Sequence, residues 1–233
     1  MSERGPATAY SERVKTVLTL DPRRTVVLTV DMQRDYLDLE VASAPVAADE
    51  AERVLKHARD LLDFARGEGL PVVHVYVKRR PVEWEHRVLA GRIFELSLEH
   101  GLSQNAQAGV RQIPDRQEGS PQCEVPAILV APEDVHVTTK KSLDGFLGTD
   151  LDFLLRRVYQ ADAVIVTGIN TDTCVYSTSF SASNHGYKTV VVSDCVASMR
   201  GKDNHRMALE LMSRSIAWVL SVDEVKARLS GRR

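Results

Sequence analysis

Apolar residues gather along this chain in short continuous runs rather than in clean alternation with polar ones. Thr25–Val30 (TVVLTV), Pro71–Val77 (PVVHVYV), Ala163–Thr167 (AVIVT) and Thr189–Ser193 (TVVVS) are rich in valine. Continuous β-branched runs of this kind suit strands buried on both faces, as in a parallel sheet. Val135–Thr139 (VHVTT) and Ile216–Leu220 (IAWVL) are weaker candidates for two further strands. Between the runs the spacing becomes helical. Ala48–Glu68 sets Val54, Leu55, Ala58, Leu61, Leu62 and Ala65 at helical intervals, and Gly67, Gly69 and Pro71 then supply a stop. Helices are also predicted over Thr149–Tyr159, with Thr149 as N-cap, over Thr173–His185, with Gly186 as its stop, and over Asn204–Ser215 and Val222–Leu229. Strands alternating with helices predict a single-domain, three-layer α/β/α fold, doubly wound on a mainly parallel sheet. The domain spans residues 1–233, with 1–20 as an N-terminal extension. Residues 80–130 break the rhythm: a helix is expected near Arg87–Glu99, then a polar stretch ending DRQEGSPQC. A lid over a substrate and a plain surface insertion both fit that pattern.

Charge and composition mainly exclude. Thirty Lys+Arg balance 32 Asp+Glu, for a net charge of −2. No basic stripe with interleaved aromatics points to nucleic acid. The three cysteines (Cys123, Cys174, Cys195) are odd in number and widely spaced, which is neither a disulfide framework nor a zinc site. No apolar run approaches the roughly 18 residues of a membrane span, and MSERGPATAYSERVK lacks the apolar core of a signal peptide. The expectation is a cytoplasmic protein with reduced thiols and no membrane partner.

In open α/β sheets ligands bind beyond the carboxyl ends of the strands, so reactive side chains there carry the most information. The first strand ends at Asp31. A carboxylate following a buried run is partly desolvated, which favours a general base; it can equally cap a turn. VHVTT ends at Lys140 and Lys141, either solvated charge or a cation that stabilises developing negative charge. AVIVT leads through Gly168-Ile169-Asn170-Thr171-Asp172-Thr173 to Cys174 and then a helix. A cysteine at a helix N-terminus has a lowered thiol pKa, and unpaired N–H groups there can bind an oxyanion. A buried cysteine serving as a small hydrophobe is the competing reading.

Taken together, Asp31-Met32-Gln33-Arg34-Asp35-Tyr36, Lys140 followed by Phe146-Leu147-Gly148-Thr149, Gly168 to Val175, and Gly186 to Cys195 resemble, in that order, the motifs of the isochorismatase-like cysteine hydrolases. The resemblance runs from about Arg24 to Leu229. It implies an Asp31–Lys140–Cys174 triad, with Lys140 selected over Lys141 by counting back from Phe146. It further implies a cis peptide between Ile169 and Asn170 and an oxyanion hole from the backbone N–H groups of Asn170 and Cys174. The implied activity is hydrolysis of an amide, carbamoyl, ureido or lactam C–N bond of a small molecule through a thioester, in a dimer or tetramer. Gln33, Tyr36 and Tyr176 are candidate substrate contacts. So is Asp144, which with Gly145 replaces the Ser-Ala of most relatives. Ser213 stands where biuret hydrolase carries a substrate-contacting Gln, which argues against biuret. No metal or cofactor is expected: His74 and His86 lack the Asp-x-His spacing of the metal-binding nicotinamidases. Two rivals remain. Isochorismatase-type vinyl-ether hydrolases keep the Asp and Lys but lack the cysteine, and a non-catalytic binding module would need no triad.

Overall fold

The computed structural model describes residues 6–86, 91–108 and 116–230. Six strands form one sheet: β1 Thr25–Val30, β2 Val72–Val77, β3 Val135–Lys140, β4 Ala163–Ile169, β5 Lys188–Ala197 and β6 Trp218–Leu220, in the order β3-β2-β1-β4-β5-β6. Every neighbouring pair is parallel. The helices, in chain order, are α1 Pro6–Lys15, α2 Arg34–Leu37, α3 Ala48–Gly67, α4 Pro81–Glu85, α5 Arg92–Glu99, α6 Leu151–Phe153, α7 Tyr176–Asn184, α8 Lys202–Ser215 and α9 Val222–Ser230. No helix among the described residues is long and apolar enough to cross a membrane.

The valine runs explain the layering. All six residues of β1 are buried, because alternate side chains point into two different cores. Val27 joins Ala58, Leu61 and Leu62 of α3 and Val225 of α9. Val26, Leu28 and Val30 join Leu151 of α6, Ala182 of α7 and Met212 of α8 on the other face. The chain builds outward from β1 to β3 and then returns to β4 on the other side of β1. That return creates a switch point between β1 and β4, where open α/β sheets bind ligands.

Several expected elements shift. The helix predicted from Thr149 starts at Leu151 and widens to a π-type turn over Leu154–Val158; Thr149 still accepts the Leu151 N–H at 3.2 Å. The helix predicted from Thr173 starts at Tyr176, after a π-type turn over Thr171–Val175. It ends where expected, on Gly186 at φ +87°, with Tyr187 N–H returning to Ala182 O at 3.1 Å. The last strand begins only at Trp218, because Ile216 still closes α8 through its N–H to Met212 O. Of the helix predicted over Arg87–Glu99, residues 92–99 are helical and 87–90 lie outside the described residues. Within the N-terminal extension, α1 is tied to β6 by Trp218 Nε1 donating to Val14 O at 2.9 Å.

Gly168 fixes how closely β1 and β4 approach. Its φ is +133°, and a Cβ there would lie 2.0 Å from Val30 O. Gly168→Ala should therefore cost about 2 kcal/mol or more, read as a fall in the urea midpoint; an unchanged midpoint would refute this packing.

His74 cross-links the sheet. Fully buried, it meets Thr29 Oγ1 at 2.7 Å and Asp134 Oδ2 at 3.0 Å. Burial, opposed by Asp134, pushes its pKa from 6.5 down to about 4. The unfolded chain takes up that proton first as pH falls. His74 thus contributes stability in full above pH 6.5 and loses it as pH falls through about 4, a change of about 3 kcal/mol. Urea titrations between pH 8 and 4 should show this loss, and His74→Gln should flatten it.

Candidate active site

Three strand ends bring three chemical groups together. Asp31 follows β1 with its backbone in the left-handed region at φ +49°, which Asp tolerates better than most side chains. Its N–H donates to Val75 O at 2.9 Å, and its Oδ1 accepts the Val77 N–H at 3.1 Å. Lys140 closes β3, two strands away. A register shift at Val77, which faces both Thr139 and Lys140, turns that end of the strand inward, as bulges beside sites commonly do. Lys140 Nζ then donates to Asp31 Oδ2 at 2.7 Å, with both side chains at 0% exposure. Burial works against the Lys140 charge, but Asp31 and then Cys174 outweigh it, so its pKa is raised.

Cys174 lies after β4 in the wide turn Thr171–Val175. The Ile169–Asn170 peptide is cis, as the resemblance implies. Asn170 O accepts the N–H groups of Thr173 and Val175 at 3.2 and 3.0 Å, and Asn170 Oδ1 accepts the Met199 N–H at 2.8 Å. Cys174 is buried, at 6% exposure, and its thiol is within hydrogen-bonding reach of Asp31. Burial pushes its pKa up to about 11; Lys140 lowers it and Asp31 raises it. The expectation of a thiol acidified by a helix N-terminus is thus corrected. Cys174 precedes the α-helix proper, and desolvation dominates.

A cavity of about 160 Å³ opens onto this cluster, room for a small molecule. Asp31, Lys140, Asn170, Thr173 and Cys174 form its base; Tyr36, Val77, Trp84, Phe94, Leu98 and Arg116 are among its walls. Phe94, Leu98 and the run Leu102 to Asn105 bring part of the 80–130 segment over the site.

Of the four candidate substrate contacts, only Tyr36 lines this cavity. Gln33 is fully buried, and its Nε2 donates to Val77 O and Cys123 O, both at 2.8 Å. It braces the loop after β1 instead. Asp144 folds back, accepting Phe146 N–H at 2.9 Å and Ser181 Oγ–H at 2.6 Å. Tyr176 packs onto the α6–α7 core. His86 is exposed at the end of α4, and both His74 ring nitrogens are engaged by Thr29 and Asp134. Sequence reading missed Arg116, buried at 8%. Its Nη1 donates to the Tyr36 hydroxyl and its guanidinium lies 5.1 Å from the Tyr36 ring centre. Nothing in DRQEGSPQC distinguishes it from surface charge.

A family model described as "Isochorismatase domain" matches residues 25–224. Maleamate amidohydrolase of Pseudomonas putida is 28% identical over 194 residues, covering 80% of this chain and 78% of that protein. A protein named probable isochorismatase from Pseudomonas chlororaphis is 25% identical, covering 89% and 87%. The crystal structure of a cysteine hydrolase from Pseudomonas syringae pv. phaseolicola superposes with a TM-score of 0.73 at 25% identity, covering 91% of this chain and 95% of that one.

The charge balance around Cys174 is measurable. Iodoacetamide alkylation of Cys174, followed by peptide mass spectrometry, should rise with pH toward a midpoint near 11. Asp31→Asn, which removes the anion, should move that midpoint down, and Lys140→Met should move it up. A wild-type midpoint below about 8.5, the value of a free thiol, would mean a thiolate at rest and overturn this electrostatic picture.

Proposed function

Because the chain belongs to the isochorismatase domain family, whose members include hydrolases, we propose that it is a cysteine-dependent amidohydrolase acting on a small amide, carbamoyl, ureido or lactam compound. The observation that carries this reading is the buried Asp31–Lys140 pair set against Cys174 at the base of one cavity. A paired carboxylate, a cation and a thiol within mutual reach are the parts an acyl transfer needs: base, charge stabiliser and nucleophile.

In the proposed cycle Asp31 takes the Cys174 proton as the substrate carbonyl approaches, and the sulfur attacks the carbonyl carbon. The backbone N–H groups of Asn170 and Cys174 receive the oxyanion. The C–N bond breaks as Asp31 returns the proton to the departing nitrogen, leaving a thioester and free ammonia or amine, or, from a lactam, a thioester that carries the new amine. Water then attacks the thioester carbonyl, giving its proton to Asp31. The acid product leaves, and the thiol is restored. Lys140 stays protonated throughout and faces whichever of Asp31 and Cys174 carries the negative charge.

The walls narrow the choice of substrates. Trp84, Phe94 and Leu98 offer apolar surface, while Arg116 adds a buried positive charge. A test panel of primary amides, N-carbamoyl compounds and lactams, scored by the ammonia or amine formed, should include maleamate, the compound in the name of one relative. On any substrate that turns over, Cys174→Ala should lower kcat at least about a thousandfold, and brief acid quenching should trap an acyl group on Cys174 by mass. Turnover that survives Cys174→Ala, with no acyl adduct in the wild type, would refute the thioester route, and cleavage of a vinyl ether with no turnover of the panel would replace this reading by hydrolysis of the isochorismatase type.

A further inference from the structure

Between β5 and α8, the short loop Ser198–Arg200 bonds to both sides of the cavity at once. On one side is the stretch 91–108, which covers the site. On the other is the turn that carries Cys174. Arg200, with its side chain 13% exposed, links the two directly. Its Nη1 lies 3.2 Å from Asp172 Oδ2, while Nε and Nη2 both donate to Gln104 Oε1, at 2.9 and 2.7 Å. Its guanidinium also lies 6.0 Å from the Phe94 ring centre. The backbone repeats the pattern. Met199 O accepts the Ala106 N–H at 2.8 Å, and Met199 N–H donates to Asn170 Oδ1 at 2.8 Å. Ser198 Oγ completes the junction, donating to Asp172 Oδ1 at 2.6 Å and accepting the Arg200 N–H at 3.0 Å.

Asp172 sits two residues before Cys174, and Asn170 opens the same turn. The bonds that hold the cover therefore end on the backbone turn that presents the sulfur. A guanidinium is suited to this junction because its five donors lie in one rigid plane and can meet a carboxylate and an amide oxygen together. A lysine ammonium lacks that fork.

We propose that Arg200 is a positioning residue: by holding Gln104 of the cover and Asp172 of the nucleophile turn together, it couples closure of the cavity to the geometry of the Asn170–Cys174 turn. Its kinetic consequence rests on the amidohydrolase reading; its effect on backbone protection does not. The coupling is reciprocal, as any linkage between two equilibria must be.

Hydrogen exchange of the full chain, read by mass spectrometry on peptides covering 102–108 and 170–176, tests this. Gln104→Ala removes only the cover's end of the bridge, on an exposed residue. It should nevertheless speed exchange in 170–176 by about tenfold. Asp172→Asn should do the same in 102–108. Arg200→Ala and Arg200→Lys should each speed both segments, and adding Gln104→Ala to Arg200→Ala should change neither further. Exchange of β1 should stay slow in every variant, which separates lost coupling from lost stability. If each substitution speeds only its own segment, or if effects of the double variant add, the proposal fails. Should Arg200→Ala not fold, Gln104→Ala and Asp172→Asn decide the matter alone. With a substrate in hand, Gln104→Ala should lower kcat more than it raises KM. Cross-coupling of exchange without any amide turnover would uphold Arg200 and refute the amidohydrolase reading instead.

Discussion

The pair of Asp31 and Lys140 sets the terms for everything around it. Both side chains are fully buried, with 2.7 Å between Nζ and Oδ2. Removing two charges from water costs several kcal/mol per ion, and mutual attraction offsets this only where geometry is good and the remaining lone pairs are met. Here the second Asp31 oxygen takes the Val77 N–H. Breaking such a pair from one side costs about 3–5 kcal/mol, whereas an apolar pair of similar volume is often no worse for stability. Hydrophobic packing alone therefore gives no reason to keep it. The pair makes sense where a charge is needed beside Cys174.

Backbone constraints make the pair possible. Asp31 belongs to β1 and Lys140 to β3, with β2 between them. The register shift at Val77 lets Lys140 reach across, and Gly168 lets β4 come close enough to β1 for Cys174 to face both. Val77 also holds the surroundings: its N–H goes to Asp31 and its carbonyl takes Gln33. One residue at the end of β2 thus ties Asp31, the loop behind it and the end of β3 together.

Much of this was legible in the sequence because parallel strands announce themselves. Continuous valine runs at Thr25–Val30 and Ala163–Thr167 suit strands buried on both faces, and Asp31 and the turn to Cys174 follow at the strand ends. Less legible was what depends on direction rather than on position. Gln33 and Asp144 stand next to motif residues, yet their side chains turn toward backbone carbonyls and Ser181. Period and spacing place a Cα on an element; they do not say which hydrogen-bond partner wins. The charge state of the thiol is hidden from the sequence for a related reason. A cysteine near a helix start looks acidified, but the π-type turn removes it from the first α-helical turn and burial then controls its charge. Arg116 and Arg200 gave no signal at all, since isolated arginines in polar segments carry no pattern.

A neutral resting thiol is a weaker nucleophile than a thiolate, but the electrostatics of the proposed proton transfer favour it. Before transfer the negative charge sits on Asp31; afterwards it sits on the Cys174 sulfur. In both states it lies beside Lys140, whose charge is held by both partners. The buried cluster keeps the same net charge throughout, so no ion has to be created in a low-dielectric space, which would be the prohibitive step. What changes is a short displacement of one negative charge toward the substrate carbonyl. A thiol already ionised at rest would need a second buried anion beside Asp31 or a protonated Asp31, and it would be open to alkylation and oxidation between turnovers. Keeping the proton on sulfur until a carbonyl arrives restricts reactivity to the filled cavity.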